Sequence, residues 1–250
     1  MGARVTFRMP DGYRMRFHPS AISAAIWYEP EFRQDDLDVC RKLLRPGDTY
    51  VDVGANVGQL ALVGAGRVGA TGRVLAIEAH PRTFGFLKDN LALNPDARVE
   101  ALNVAVGATE GRVSFTSLRL DDQNHVSAQN DSGPATSVAV ARLDSLCPPG
   151  RVRLLKIDVE GFELHVLEGA TDVLARCDCL YIEESQRNLE RYGGTVSQLR
   201  AMLTQAGFGI FAHEAKSLTA DPGFPAADAS QNLLAVRPEC LDEVRRALTQ

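Results

Sequence analysis

The segment Tyr50-Val51-Asp52-Val53-Gly54-Ala55-Asn56-Val57-Gly58 restricts the fold of this chain more than any other, because an apolar strand runs through a glycine turn straight into a helix. Strand-like and helix-like runs alternate after it: Thr49 to Val53, a helix from about Gly58, Arg73 to Ile77, a helix from about Pro81 to Leu93, then Val99 to Leu102. Such alternation predicts a parallel sheet with helices on both faces, a doubly wound α/β domain. Apolar runs at Leu154 to Ile157, Leu180 to Ile182 and Gly209 to Ala212 read as strands buried on both faces. Asn232 to Val236 reads as a last strand and Glu239 to Leu248 as a closing helix. With 250 residues and 45% hydrophobic content the chain can bury one large core.

Ahead of this core, residues 1–45 read as a hairpin and a helical lead-in, and residues 46–250 as the α/β domain, the whole forming one compact unit. Val5 to Phe17 alternates around Pro10-Asp11-Gly12, a turn in which proline presets φ and glycine accepts a positive one. Asp35 or Asp36 is expected to cap a helix that runs to about Leu44 and stops at Pro46-Gly47. Met1-Gly2-Ala3-Arg4-Val5-Thr6 fits an acylation pattern, but the alternation of Val5, Phe7 and Met9 favours a strand. Ser117 to Ala135 is polar and aperiodic and reads as a long loop, and Thr219 to Ser230 as a second one.

The 27 Lys and Arg against 32 Asp and Glu leave a net charge of −5, which disfavours a nucleic-acid partner. No run of some 18 apolar residues suggests a membrane span. The five scattered cysteines make a poor disulfide framework, and Cys177 and Cys179 lack zinc-finger spacing. A soluble, cytoplasmic protein is expected; oligomeric state is not legible.

In open α/β sheets the turn after the first strand lies at the carboxyl edge where ligands bind, and Gly54 and Gly58 let the backbone approach one closely. A dinucleotide fingerprint places glycine at the first, third and sixth positions of that turn. Here those positions hold Gly54, Asn56 and Gln59, while Asp52 adds a negative charge. A carboxylate there suits a ligand with an ammonium or ribose hydroxyls better than one with phosphates, which favours S-adenosylmethionine over a nicotinamide cofactor. Glu78, at the end of the second strand, can accept both hydroxyls of a ribose. Asn103 or the Val104 backbone can read an adenine edge. Asp158 and Glu160 end the strand Leu154 to Ile157 at the same sheet edge as Gly54, where helix capping is their alternative role.

Taken together, Asp52-Val53-Gly54-Ala55-Asn56-Val57-Gly58, Glu78-Ala79-His80-Pro81, Asn103-Val104-Ala105-Val106-Gly107, Lys156-Ile157-Asp158-Val159-Glu160-Gly161-Phe162-Glu163 and Val166-Leu167-Glu168-Gly169-Ala170 resemble the FkbM family of methyltransferases. The resemblance covers roughly residues 45 to 185. It implies a Rossmann-like class I methyltransferase fold, a seven-stranded, mostly parallel sheet whose last strand is antiparallel, and S-adenosylmethionine as methyl donor. Carried over by position, it implies that Asp52, Gly54, Asn56 and Gly58 surround the methionine part, Glu78 the ribose and Asn103, Val104 and Ala105 the adenosine, with Asp158 and Glu160 beside the sulfonium. It also implies O-methylation of a small hydroxylated acceptor, a sugar or secondary metabolite.

Histidine is well suited to take a hydroxyl proton at neutral pH, and His125, in the long polar loop, is the expected general base. His125, Asp158, Glu160 and Glu183 are residue types that hold a hard divalent ion, but they come from distant segments and a required metal is not expected. Two other readings stay open, an NAD-dependent oxidoreductase and a methyltransferase-like domain retained only for binding.

Overall fold

The alternating runs become alternating elements in a computed structural model, which describes residues 5–29, 32–116, 125–127, 135–214, 217–220, 223 and 229–249. A hairpin of β1 (Thr6–Arg8) and β2 (Arg14–Arg16) precedes α1 (Ala21–Tyr28) and α2 (Gln34–Leu43). Next come β3 (Thr49–Val53), α3 (Gln59–Val68), β4 (Arg73–Ile77), α4 (Pro81–Ala92) and β5 (Val99–Leu102). The short strands β6 (Ala105–Val106), β7 (Gly111–Thr116) and β8 (Ala135–Ala141) lead through α5 (Leu143–Leu146) to β9 (Val152–Ile157). There follow α6 (Glu163–Glu168), α7 (Thr171–Ala175), β10 (Cys177–Ser185), α8 (Gln186–Glu190), α9 (Val196–Gln205), β11 (Gly209–Glu214), β12 (Ser217–Ala220), β13 (Ser230–Val236) and α10 (Leu241–Thr249).

The main sheet has the order β12-β11-β13-β10-β9-β3-β4-β5. Strands β5, β4, β3, β9 and β10 are mutually parallel, and β13 enters antiparallel between β10 and β11. Seven of these strands match the expected sheet; the eighth, β12, pairs antiparallel with β11 at the edge. Its four residues are too few to show periodicity. From β3 the chain crosses to β4 on one side, while β9 and β10 extend the sheet on the other, so the carboxyl ends of β3 and β9 form the switch point where such folds bind ligands.

Successive side chains of a strand point to opposite faces, and both faces here are apolar. Tyr50, Val74, Ala76, Leu154, Tyr181 and Leu234 join one buried cluster, with Leu37, Leu60 and Val244 from α2, α3 and α10. Val51, Leu75, Ile77, Leu155, Ile182 and Leu233 join the other, with Val166, Val173 and Leu199 from α6, α7 and α9. Burying a large aliphatic side chain contributes about 1.5–3 kcal/mol. Met15 of the hairpin is fully buried in the first cluster, so the lead-in segment packs on the same core.

The structure departs from the expected elements in three places. Flanking the expected loop from Ser117 to Ala135, β6, β8 and β7 form a second sheet that was not expected, and its apolar positions, Phe115, Val138 and Val140, make a core of their own. Residues 117–124 and 128–134 of the expected loop lie outside the described residues. Neither Asp35 nor Asp36 caps α2; Arg33 occupies the cap position at φ 59, and both acids sit in the first turn. Helix α1 was not expected; Ser20 starts it by accepting a hydrogen bond from the Ser23 amide at 2.9 Å.

Candidate active site

At the switch point the turn from β3 into α3 carries positive φ at Gly54, Asn56 and Gly58, at 82°, 49° and 87°. Glycine at 54 is required by β9 as much as by the turn, because a Cβ there would overlap the Asp158 backbone carbonyl. A Cβ at Gly58 would run into Leu87 of α4. The turn is thus closed from behind by its neighbours, and its open side lines a cavity.

Gly54, Asn56, Glu78, Val104, Ala105, Asp158 and Glu160 all line this cavity. The Glu78 carboxylate is fixed by two backbone donors, accepting from the Asn56 amide at 2.9 Å and the His80 amide at 2.8 Å. Burial pushes Glu78 up to about 7, against the pull of the His80 and Asn56 amides. Each carboxylate oxygen has further lone pairs, so the clamp leaves Glu78 able to accept ligand hydroxyls. Asn103 is exposed and donates to the Glu78 and Ala79 carbonyls, both at 2.9 Å. It braces the Glu78 turn and is not among the cavity-lining residues.

Asp52 does not line the cavity either. It is fully buried beneath it, opposite Lys156 in the β3–β9 register, with the Lys156 ammonium 3.5 Å from its carboxylate. Burial raises its pKa, while Lys156 and Arg33 oppose that rise. Lys156 also donates to the Gly54 carbonyl at 2.9 Å and lies 3.2 Å from Asp158. A lysine in a fully buried strand demands buried anions, and the Asp52, Lys156 and Asp158 pattern in the sequence is the signal of this pairing.

The wall also includes residues outside the candidate set. Arg33 and Ile22 come from the lead-in segment, and Phe115, Val126 and Phe162 close the cavity with apolar surface. Arg33 reaches Asp158 at 3.1 Å and Asp36 at 2.6 Å. Val126 is held by the Tyr192 hydroxyl, which donates to its carbonyl at 2.5 Å.

His125 is buried, and its backbone is tied to Thr116, whose hydroxyl accepts from the His125 amide at 2.9 Å. Its neighbours Phe115 and Val126 line the cavity and His125 does not, so the structure does not bring the expected base to the site. The isolated pairing of Val126 with Phe115 puts Val126 inward and leaves His125 beside it. Glu160, at φ 57, does line the cavity and accepts from Asn188 Nδ2 at 3.2 Å. Among the described residues no group of three or more His, Cys, Asp or Glu is placed to hold a metal ion, and no helix is long and apolar enough to cross a membrane.

Residues 52–210 match the methyltransferase FkbM domain. The chain belongs to the FkbM methyltransferase family. It is 29% identical over 180 residues to the hexuronic acid methyltransferase AglP of Haloferax volcanii, covering 69% of this chain and 71% of that protein. It is 28% identical over 259 positions to the 31-O-demethyl-FK506 methyltransferase FkbM of Streptomyces tacrolimicus, covering 90% of this chain and 95% of that one. All the site residues read from the sequence fall inside the FkbM span, whereas Ile22 and Arg33 precede it.

The FkbM span also buries Glu163 next to the site. This side chain is 1% exposed and accepts from the Val159 and Gly161 amides at 3.2 and 3.1 Å. Burial pushes it up to about 7. A carboxyl whose folded pKa is raised stabilises the fold at low pH and loses that contribution as pH climbs from the unfolded value through 7. Glu163→Gln keeps an acceptor for both amides and removes the titration. The variant is expected to match the wild-type melting temperature at pH 5 and exceed it at pH 8. Equal melting temperatures at both pH values would show that the carboxyl carries no such cost.

Proposed function

We propose that this protein is an S-adenosylmethionine-dependent O-methyltransferase acting on a hydroxyl of a small molecule. The observation that carries the reading is the Glu78 carboxylate, clamped by the Asn56 and His80 amides beside the glycine turn and facing the cavity. The residues present fit the donor. Glu78 would hold the ribose, Ile77, Val104 and Ala105 offer apolar surface to an adenine, and Asp158 and Glu160 set a negative field suited to a sulfonium. When bound, S-adenosylmethionine supplies an already activated methyl group.

What remains for the chain is alignment and proton removal. The walls hold the acceptor oxygen in line, and orientation of this kind is worth up to about 7–11 kcal/mol. Asp158 is committed to Arg33 and Lys156, and Glu160, oriented by Asn188 at the cavity wall, is the carboxylate assigned to take the hydroxyl proton. The acidic wall and the net charge of −5 speak for a small molecule over a nucleic acid. The names of the two relatives, a hexuronic acid methyltransferase and a 31-O-demethyl-FK506 methyltransferase, support an oxygen acceptor on a small molecule.

Transfer of isotope-labelled methyl from S-adenosylmethionine to a panel of glycosides, uronic acids and polyketide alcohols tests the acceptor class. Label in a base-stable ether is the expected product. Label only in base-labile esters or in amines would contradict the O-methyl ether reading.

A further inference from the structure

Asp158 sits between two cations of unequal commitment. Lys156, 3.2 Å away, is shared with the fully buried Asp52 and bonded to the Gly54 carbonyl. Arg33, 3.1 Å away, comes from the start of α2, outside the matched family span. Its guanidinium is anchored at the far side by Asp36, which in turn accepts from the Tyr181 hydroxyl at 2.7 Å and Asn232 Nδ2 at 3.1 Å. The backbone of Arg33 lies at φ 59, a region that non-glycine residues occupy only when their surroundings hold them there. A cation fixed at both ends, in a strained backbone, lines the cavity where a positively charged donor has to be told from its neutral product.

We propose that Arg33 is a positioning residue that keeps Asp158 ionised and fixed at the cavity wall, so that the site binds the cationic donor in preference to the uncharged product. The proposal rests on the reading of S-adenosylmethionine as donor. The donor and S-adenosylhomocysteine share the adenosine and the amino-acid part, and differ at sulfur by one methyl and one positive charge. An ionised Asp158 acts on that difference alone, and loss of the charge on transfer favours product release.

The charged groups around Asp158 make the dependence on Arg33 specific. Lys156 lies on its own strand, Asp52 on β3, Glu160 in the following turn, Glu163 on α6 and Glu183 on β10, with Asp36 of α2 behind Arg33. Burial pushes the Asp158 carboxyl up, and Lys156 and Arg33 together hold it below the usual carboxylate range. The surrounding acids push the other way, and Glu183 is raised to about 9 by burial first and then by Asp158, Glu160 and Glu163. With Arg33 neutralised, one lysine already shared with Asp52 faces several carboxylates, and Asp158 takes up a proton at a higher pH.

The test is calorimetry of S-adenosylmethionine and S-adenosylhomocysteine on the full chain from pH 4.5 to 8, for wild type, Arg33→Gln, Arg33→Gly and Arg33→Lys. Gln retains hydrogen-bond donors without charge, and Gly suits the left-handed backbone, so at least one neutral variant is expected to keep its melting temperature. Titration of Glu78 weakens both ligands alike and cancels in their affinity ratio. In wild type the ratio is expected to stay flat across the range. In the neutral variants it is expected to fall by about tenfold toward pH 4.5, as an opposite charge at this distance shifts a carboxyl by roughly 1–3 pH units, and Arg33→Lys is expected to restore most of it. A ratio that stays flat in both neutral variants would overturn the proposal. Failure of the wild type to bind either ligand would overturn instead the donor reading on which it rests.

Discussion

Glu160→Gln is expected to lower kcat for methyl transfer by about 10²–10⁴-fold, the usual contribution of a positioned general base, with little change in affinity for S-adenosylhomocysteine. Of the carboxylates lining the cavity, Glu78 is clamped by backbone amides and Asp158 is paired with Arg33 and Lys156. Glu160 is held through one oxygen by Asn188, while Arg191 fixes its backbone carbonyl at 2.9 Å. These bonds orient the side chain, and Gln preserves the acceptor that Asn188 needs. Single-turnover rates with a labelled donor provide the measurement. If Glu160→Gln retains the wild-type rate while Asp158→Asn loses it, the proton goes to Asp158.

Glu78→Ala is expected to weaken S-adenosylhomocysteine about 10–150-fold, since a hydrogen bond to a charged group is worth about 1.5–3 kcal/mol. The truncation removes the proposed ribose contact and also the clamp that holds the Asn56 and His80 amides. Because burial raises Glu78 to about 7, ribose hydroxyls, which donate to the ionised form, bind better as pH rises through that value. Affinity in the wild type is therefore expected to increase from pH 6 to 8 and then level. Glu78→Gln, which keeps an acceptor but does not titrate, is expected to show a flat profile. A wild-type profile equally flat would mean that Glu78 is already ionised in the free protein.

The strands at the switch point were legible because both faces are buried, and burial leaves unbroken apolar runs such as Val74 to Ile77 that end in chemistry-bearing residues. Glu78, Asp158 and Glu160 stood out for the same reason: a carboxylate at the end of a buried strand needs a task or a partner. Asp52 and Asn103 carried the same outward signal and have structural tasks, pairing Lys156 and bracing the Glu78 turn. Sequence position places a residue at the sheet edge but does not say whether its side chain points into the cavity or beneath it.

The walls were hidden because they are built by contacts far apart in the chain. Arg33 meets Asp158 across 125 positions, and nothing near Arg33 marks it as more than a helix-end charge. The small sheet of β6, β8 and β7 is half exposed and rich in Ser, Thr, Ala and Gly, so its alternation is weak. It delivers Phe115 to the cavity, and the isolated pairing of Phe115 with Val126 delivers Val126. His125 was chosen from chemistry alone, and a one-residue difference in register decides which side chain faces inward.

Calorimetry of the wild-type protein with S-adenosylhomocysteine and with NAD tests the donor assignment most directly. Asn56 and Gln59 stand where a pyrophosphate-binding turn has glycines, and the cavity carries three carboxylates, Glu78, Asp158 and Glu160. Saturable binding of S-adenosylhomocysteine, weakened in Glu78→Ala, with none of NAD, is the predicted result. Binding of NAD in preference to S-adenosylhomocysteine, or binding of neither, would contradict the assignment.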